Sequence, residues 1–444
     1  MQIDERLGGW GRYPVSNCAT HAPSTDETLK NIISGGPVIA RGAGRAYGDS
    51  ALQAHGVICT DGLGKALSLD TQRHILEADA GASFADVLSM SVPKGWFVPV
   101  TPGTKFVTLG GAVAADVHGK NHHVDGSFGD HLLWLDLMDH EGEIHRCSHT
   151  QNTALFQATI GGMGLTGIIR RLAVKMRPIE TAWVRQETVL APNLDAAVEA
   201  FEASDDWTYS VAWIDAMARG PNLGRCVLYR GEHATREEVS STRPLHLPAR
   251  GKSLRVPMDA PVFLLNKLSA QAFNLAFWQA CRRKTGVQIV DYENYFYPLD
   301  KLLQWNRLYG RRGFVQYQCV FPIESSLAGM RDMLRAVHAS GLGAFLAVLK
   351  LMGEQSREGL SFPMKGYTLA LDFPITRKLP ALLARLDDIV TTYQGRLYLA
   401  KDARMDATTF QRGYANLDSF ESLRHKTGAA GVFKSHQSER LGLA

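Results

Sequence analysis

Apolar positions between residues 183 and 395 follow two different periods. Segments 207–214, 225–230, 313–322, 344–352 and 367–373 alternate as strands, whereas 194–201, 326–340 and 379–393 repeat at the helical spacing. This predicts an antiparallel sheet with helices on one face. Before residue 183 the pattern changes. Leu29, Ile32 and Ile33 follow a Ser-Thr-Asp start, which predicts a capped helix over 24–33, and the glycines at 35 and 36 break it before a short strand at 38–40. Residues 74–81 alternate as a strand. Ser83 and Asp86 form a capping box for a helix carrying Val87 and Leu88, and 132–138 with the turn at Glu141 and Gly142 reads as a hairpin.

Between these elements lie three glycine-rich stretches. RGAGRAYGDS (41–50) directly follows the strand at 38–40, so its N–H groups could hold a pyrophosphate while Arg41 or Arg45 adds charge. Its glycines at 42, 44 and 48 do not fit the GxGxxG fingerprint, and no long apolar helix follows, which disfavours a Rossmann domain. TPGTKFVTLGGAVAADVHGKNHH (101–123) leaves bare backbone at Gly103, Gly110 and Gly111, then packs His118, Lys120, Asn121, His122 and His123 into six positions. IGGMGLTGII (160–169) supplies a third approach. Together they outline a dinucleotide site.

Composition narrows the class. A chain of 444 residues exceeds what one core usually supports, so two domains are expected. Hydrophobic content of 45 % and charge of 21 % are those of an ordinary globular protein, and a net charge of +4 without basic blocks does not imply nucleic acid. Six scattered cysteines without a CxxC pair suggest free thiols in a reducing compartment. No basic leader with an apolar core opens the chain and no apolar run reaches a membrane span, so a cytoplasmic protein is expected.

The succession RGAGRAYGDS, EADAGASFADVLS, TPGTKFVTLGGAVAADVHG and GGMGLTGII resembles the FAD domain of the vanillyl-alcohol oxidase and p-cresol methylhydroxylase superfamily. Within it, HGKNHH, FVQYQ (314–318), SFPMKGY (361–367) and YLAKDAR (398–404) are similar to the decaprenylphosphoryl-β-D-ribose oxidase family. The resemblance implies an α+β protein with an FAD-binding domain at 1–182, an antiparallel-sheet substrate domain at 183–395 and a segment at 396–444 returning to the FAD domain. It also implies FAD-dependent oxidation of the 2-hydroxyl of a polyprenyl-phosphoryl ribose to a ketone. A separate NAD(P)H-dependent short-chain reductase would complete epimerisation to the arabinose form.

Carried over by motif, FAD would be held by Arg41, Gly42, Ala43, Gly44, Arg45, Ala46 and Tyr47, by Gly103, Thr104, Gly110, Gly111, Ala115 and His118, and by Gly162, Gly167, Ile168 and Tyr398. Non-covalent attachment is expected, since covalent members commonly use a His in the first glycine loop and this loop has neither His nor Cys. Lys401, His118 and Tyr47 are the implied catalytic residues, with Lys120, Gln316, Gln318, Lys350, Arg307 and Thr368 on the substrate. Two departures stand out: mycobacterial members carry Cys where this chain has Ala370 and Asn where it has Thr368.

The residues themselves support part of this assignment. Alternation in FVQYQC puts Phe314, Gln316 and Gln318 on one face, either a pair of amides for sugar hydroxyls or an exposed polar sheet face. Lys350 shares a face with Leu346, Val348 and Met352, either snorkelling to a rim or facing an anionic substrate. Strict alternation separates Tyr398 from Lys401, so both reach one site only if the chain bends near Ala400. Residues 245–286 carry Arg250, Lys252 and Arg255 before PVFLLNKLSAQAFNLAFWQACRRK (261–284), which fits an interfacial element for a lipid-linked substrate, peripheral on the inner membrane face, or a buried core helix. An oxidase of a soluble sugar, alditol or aldonolactone on the same fold is the nearest rival. A metal-dependent hydrolase built on His118 and His122 is the more distant one, disfavoured because no acidic residue stands at ligand spacing with them.

Overall fold

The computed structural model describes residues 2–246, 253–261, 264–355 and 359–443. Near the N-terminus, a four-stranded sheet pairs Gln2–Gly8 antiparallel with Val15–His21 and then runs parallel through Val57–Cys59 to Ile39–Arg41. Residues 41–50 leave the end of that last strand. The second sheet is fully antiparallel, in the order Leu67–Asp70, Ile75–Asp79, Ile168–Lys175, Leu132–Met138, Ile144–Ser148. The expected hairpin is its last pair. The expected first helix runs over Asp26–Ile33 with Thr25 accepting from the Thr28 amide, and the Ser83–Asp86 capping box opens Phe84–Ser91.

The third sheet has eight antiparallel strands, ordered Gly286–Asp291, Trp183–Ala191, Cys226–His233, Tyr209–Ile214, Ala347–Met352, Gly366–Pro374, Phe314–Pro322, Arg396–Leu397. Helices Leu194–Glu202, Ile323–Ser340 and Leu379–Thr392 pack on it. Period-two alternation decides which side chains meet them. Val315, Tyr317, Cys319 and Phe321 join Met330, Met333 and Leu383 in the largest apolar core, while Gln316 and Gln318 point to the opposite face. That face is turned toward the glycine-rich stretches.

Packing beneath the glycine loop explains its composition. Residues 9–11 thread along it, with Trp10 and Gly11 donating their N–H groups to the Ala46 and Tyr47 carbonyls at 2.8 and 3.1 Å. A Cβ on Gly9 would sit 2.5 Å from the carbonyl oxygens of Tyr47 and Gly48, so only glycine fits.

The basic and apolar stretch resolves into the helix Lys267–Cys281, shorter than the 24-residue run of sequence suggested, because Asn266 caps it from within the run. It is neither a core helix nor uniformly apolar outward. Ala270, Asn274 and Cys281 are buried, Phe277 packs against Trp213 with ring centres 4.6 Å apart and planes tilted by 55°, and Trp278 lies under Arg225. Leu268, Phe273 and Leu275 are its exposed large apolar residues. Arg250, Lys252 and Phe263 fall outside the described residues. No helix among the described residues is long and apolar enough to cross a membrane.

A cluster of aromatic rings joins the second sheet region to the third. His233 sits within it, 4.9 Å from Phe97, 5.7 Å from Tyr209 and 6.0 Å from Phe296, with both ring nitrogens shut off from solvent. Burial, reinforced by the Arg177 charge, brings its pKa down to about 3. Because the folded value lies below the unfolded one, only the unfolded chain gains a proton between pH 6.5 and 3, and stability is lost as pH falls through that window. His233→Phe should therefore flatten the fall in melting temperature between pH 7 and pH 5, a difference worth about 2 kcal/mol at the lower pH. Parallel melting curves for both proteins across that range would exclude the residue as the source.

Candidate active site

One cavity of about 340 Å³ lies between the glycine-rich stretches and the polar face of the eight-stranded sheet. Its long wall is backbone. Residues 41–48 line one side, Gly103, Thr104, Gly110 and Gly111 another, and Met163, Gly164, Gly167 and Ile168 the third. Thr108 caps the short helix Leu109–Ala114 by accepting from the Gly111 amide, which turns Gly111 toward the cavity. Arg41 donates to the Gly8 carbonyl at 2.8 Å, and Arg45 lies over the Trp10 ring at 4.2 Å.

At the other end polar side chains converge: His118, Gln316, Gln318, Lys350, Tyr398 and Lys401, with Ala370 beside them. The bend expected near Ala400 is present. Strand pairing ends at Leu397, and Lys401 N–H donates to the Tyr398 carbonyl at 2.9 Å in a turn that brings both side chains to the cavity. Tyr398 donates its hydroxyl to the Ala115 carbonyl at 2.8 Å and stacks on Phe362 at 4.5 Å. Lys401 Nζ lies 3.8 Å from the centre of the Tyr47 ring.

The two glutamines are oriented from behind. Gln316 Nε2 donates to Asp372 Oδ1 at 2.6 Å. Gln318 Nε2 reaches Thr368 Oγ1 and His118 Nε2, each at 3.1 Å, and the Thr368 hydroxyl donates on to the Cys319 carbonyl at 2.9 Å. With both amide nitrogens committed, the carbonyl oxygens remain as acceptors for hydroxyl groups. The same chain makes His118 Nε2 an acceptor, so a neutral ring carries its proton on Nδ1. Burial, then the charges of Lys350, His122 and Lys401, hold its pKa well below the usual histidine value, which keeps the ring neutral.

Charge in this end of the cavity is one-sided. Burial lowers Lys350 to about 8; burial together with the Lys350 charge brings Lys120 to about 7, and brings Lys401 to about 7 against the opposing pull of the Asp372 carboxylate. None of the three stands in an ion pair among the described residues. Lys350 and Lys401 put two buried amines on the cavity, and their charged forms favour an anionic ligand.

Most residues expected at the site lie on this cavity, but four do not. Gly162 packs against the Ala158 carbonyl, which a Cβ would meet at 2.2 Å, and Met163 and Gly164 line the cavity instead. Lys120 is turned away onto the Tyr295 carbonyl and the Tyr295 ring. Arg307 donates to the Val256 and Pro257 carbonyls at 3.2 and 2.8 Å and anchors that loop. Thr368 lies behind Gln318, where its short side chain keeps it. Conversely, Trp10, Asp300 and Trp305 line the cavity and were not anticipated, nor was Asp372 behind Gln316. The bare glycines flanking Trp10 were the available signal.

A family model described as an FAD binding domain matches residues 21–148, which contain two of the three glycine-rich stretches. The chain is 36 % identical to the decaprenylphosphoryl-β-D-ribose oxidase of Mycolicibacterium smegmatis over 99 % of its own length and 98 % of the relative's. The chain belongs to the decaprenylphosphoryl-β-D-ribose oxidase family. An uncharacterised protein of Streptomyces coelicolor is 33 % identical over 79 % of this chain and 97 % of its own. Cytokinin dehydrogenase 5 of Arabidopsis thaliana is 28 % identical over 40 % of this chain and 35 % of its own.

Membership makes this chain an FAD-dependent oxidoreductase, and the residues fit that cofactor. Arg45 Nε and His118 Nδ1 are buried without a hydrogen-bond partner among the described residues, and both residues line the cavity. A Cβ on Gly103 would meet no protein atom within 4 Å, so that backbone faces open space where a dinucleotide can lie against it.

Proposed function

We propose that this chain oxidises the 2-hydroxyl of a polyprenyl-phosphoryl ribose to the 2-keto intermediate, the first half of epimerisation to the arabinose form. The observation that carries this reading is the amide floor of Gln316 and Gln318 next to Lys350 and Lys401 at one end of a glycine-lined cavity. Sugar hydroxyls suit the acceptors, and a phosphodiester suits the cations. Bound FAD supplies the hydride acceptor. The protein orients the sugar with the glutamines, excludes water with Ala370, Leu346 and Val348, and takes the hydroxyl proton on Lys401, whose pKa of about 7 matches that task.

In this reading residues 1–182 form the FAD-binding domain of the vanillyl-alcohol oxidase type, 183–395 the substrate domain, and 396–444 a segment returning to the first. FAD is held non-covalently, because residues 41–50 contain no His or Cys. The 2-keto product calls for an NAD(P)H-dependent short-chain reductase. Anaerobic mixing with a short-chain polyprenyl-phosphoryl ribose should bleach the yellow enzyme, and acid precipitation should release the colour into the supernatant. Bleaching by an alditol or aldonolactone alone would instead establish the soluble-substrate reading.

A lipid-linked substrate also fits the surface beside the cavity. Six of the fourteen exposed large apolar side chains among the described residues fall between residues 254 and 275, including Met258 at 71 %, Leu268 at 76 %, Phe273 and Leu275, with exposed Arg282, Arg283 and Lys284 following. Leu265 and Trp305 pack against the same cluster of Tyr47, Tyr309 and Phe314, and Trp305 lines the cavity. The protein is accordingly expected to lie peripherally on the inner membrane face. Co-sedimentation with anionic vesicles should fall with added salt and by about tenfold in Leu268→Ser with Phe273→Ser, two contacts of about 1–2 kcal/mol in total. Equal binding by the double variant would exclude this surface.

A further inference from the structure

The three buried lysines Lys120, Lys350 and Lys401 are not equivalent, and only Lys350 and Lys401 line the cavity. Lys350 is lowered by burial alone, and Lys120 by burial and by Lys350. Only Lys401 has a carboxylate bearing on it, that of Asp372. Asp372 is fully buried, stands directly across from Gln316 in the strand register, and does not line the cavity. Its hydrogen-bond donors are neutral: Gln316 Nε2 at 2.6 Å on Oδ1 and the Tyr309 hydroxyl at 3.3 Å on Oδ2. Tyr309 stacks on Phe314 at 4.1 Å, Phe314 meets the Tyr47 ring edge-on at 5.5 Å, and Tyr47 carries Lys401 on its face. A single packed unit therefore links the carboxylate to the ammonium.

We propose that Asp372 is a positioning residue for the oxidation, holding the Gln316 amide in its acceptor orientation and supplying the buried negative charge that keeps Lys401 able to hold a proton. This rests on the reading of Lys401 as the group that takes the substrate's hydroxyl proton. Desolvation and Lys350 both drive Lys401 toward the neutral form, and a permanently neutral amine could accept a proton only at high energetic cost. Asp372 opposes both. Burial in turn raises the Asp372 carboxyl to about 7, moderated by its two hydrogen bonds and by Lys401. The pair consequently gains and loses its charge separation near neutrality. The other groups facing it are His118, held neutral, Tyr47 with Arg45 beside it on the glycine loop, and Lys350. Asp402, next to Lys401 in sequence, is already engaged by Arg440 at 2.8 Å.

Competitive acylation of the FAD-loaded enzyme across pH, with each lysine read by peptide mass, tests this without substrate or turnover. Asp372→Asn should move the labelling midpoint of Lys401 down by about one unit, a roughly fivefold gain in labelling at pH 6, while that of Lys350 stays in place. Tyr309→Phe, which leaves the carboxylate but removes one donor, should move it the same way by less. The rate of flavin reduction in Asp372→Asn should fall, with its pH profile displaced to lower pH. An unmoved Lys401 midpoint in Asp372→Asn overturns the proposal, and should that variant lose FAD, an unmoved midpoint in Tyr309→Phe does so. Failure of polyprenyl-phosphoryl ribose to bleach the wild type would overturn the substrate reading while leaving the labelling result to decide on Asp372.

Discussion

Lys401→Ala should remain folded and yellow yet reduce its flavin with substrate at least about a hundredfold more slowly than the wild type. The Lys401 side chain carries no hydrogen bond or ion pair that builds the fold among the described residues; its Nζ lies on the Tyr47 ring, which keeps its other packing against Phe314. What the amine contributes is a proton site with a pKa of about 7 in a buried cavity. Removing a single group that stabilises charge only as it develops typically costs on the order of a hundredfold or more in rate. The effect should fall on the rate of reduction and leave FAD content and melting temperature near wild type. Bleaching at the wild-type rate in anaerobic stopped flow would make Lys401 structural and move attention to His118, whose Nδ1 proton also faces the cavity.

The pattern of alternation carried far in this chain because the eight-stranded sheet is polar on one face only where the site needs it. Gln316 and Gln318 were legible as a pair for that reason, and so was the need for a bend between Tyr398 and Lys401. Lys350 was left open between a rim and a cavity, and the structure places it on the cavity with Leu346 and Val348. Asp372 was legible in principle. It shares its face with Thr368 and Ala370 in the strand Gly366–Pro374, but one strand does not reveal its partner, and only the register against Phe314–Pro322 sets it behind Gln316.

Lys120 and Arg307 lie off the cavity for a related reason. Long cationic side chains reach in several directions, and each found main-chain carbonyls, those of Tyr295 for one and of Val256 and Pro257 for the other. Glycine composition was similarly ambiguous. Gly162 and Gly164 stand two residues apart in the same stretch, one excluded from the cavity by the Ala158 carbonyl and the other lining it.

Gly48→Ala is expected to be the most damaging small substitution in the cofactor loop, with loss of bound FAD and a destabilisation on the order of 3 kcal/mol. A Cβ there would stand 1.9 Å from the Asp402 carbonyl oxygen and 2.7 Å from Ala403 Cα. Both obstacles are backbone and cannot rotate away. The contact is also held shut from either side: Tyr47 N–H donates to the Ala400 carbonyl at 2.9 Å, and Arg440 spans Asp49 and Asp402 at 2.8 Å each. Relief of the clash must therefore part the glycine loop from the turn that carries Lys401, moving Tyr47 and the bare amides of 42–46 off the cofactor wall. Gly431→Ala is the control, since a Cβ there meets nothing within 4 Å, its φ is not in the left-handed region, and it lies in the helix Ala429–Val432. It should leave the melting temperature unchanged or slightly raised. The FAD-to-protein ratio after purification and thermal melts of both variants decide the matter: a Gly48→Ala enzyme that is fully yellow and melts with the wild type would mean that the loop and the Lys401 turn move independently.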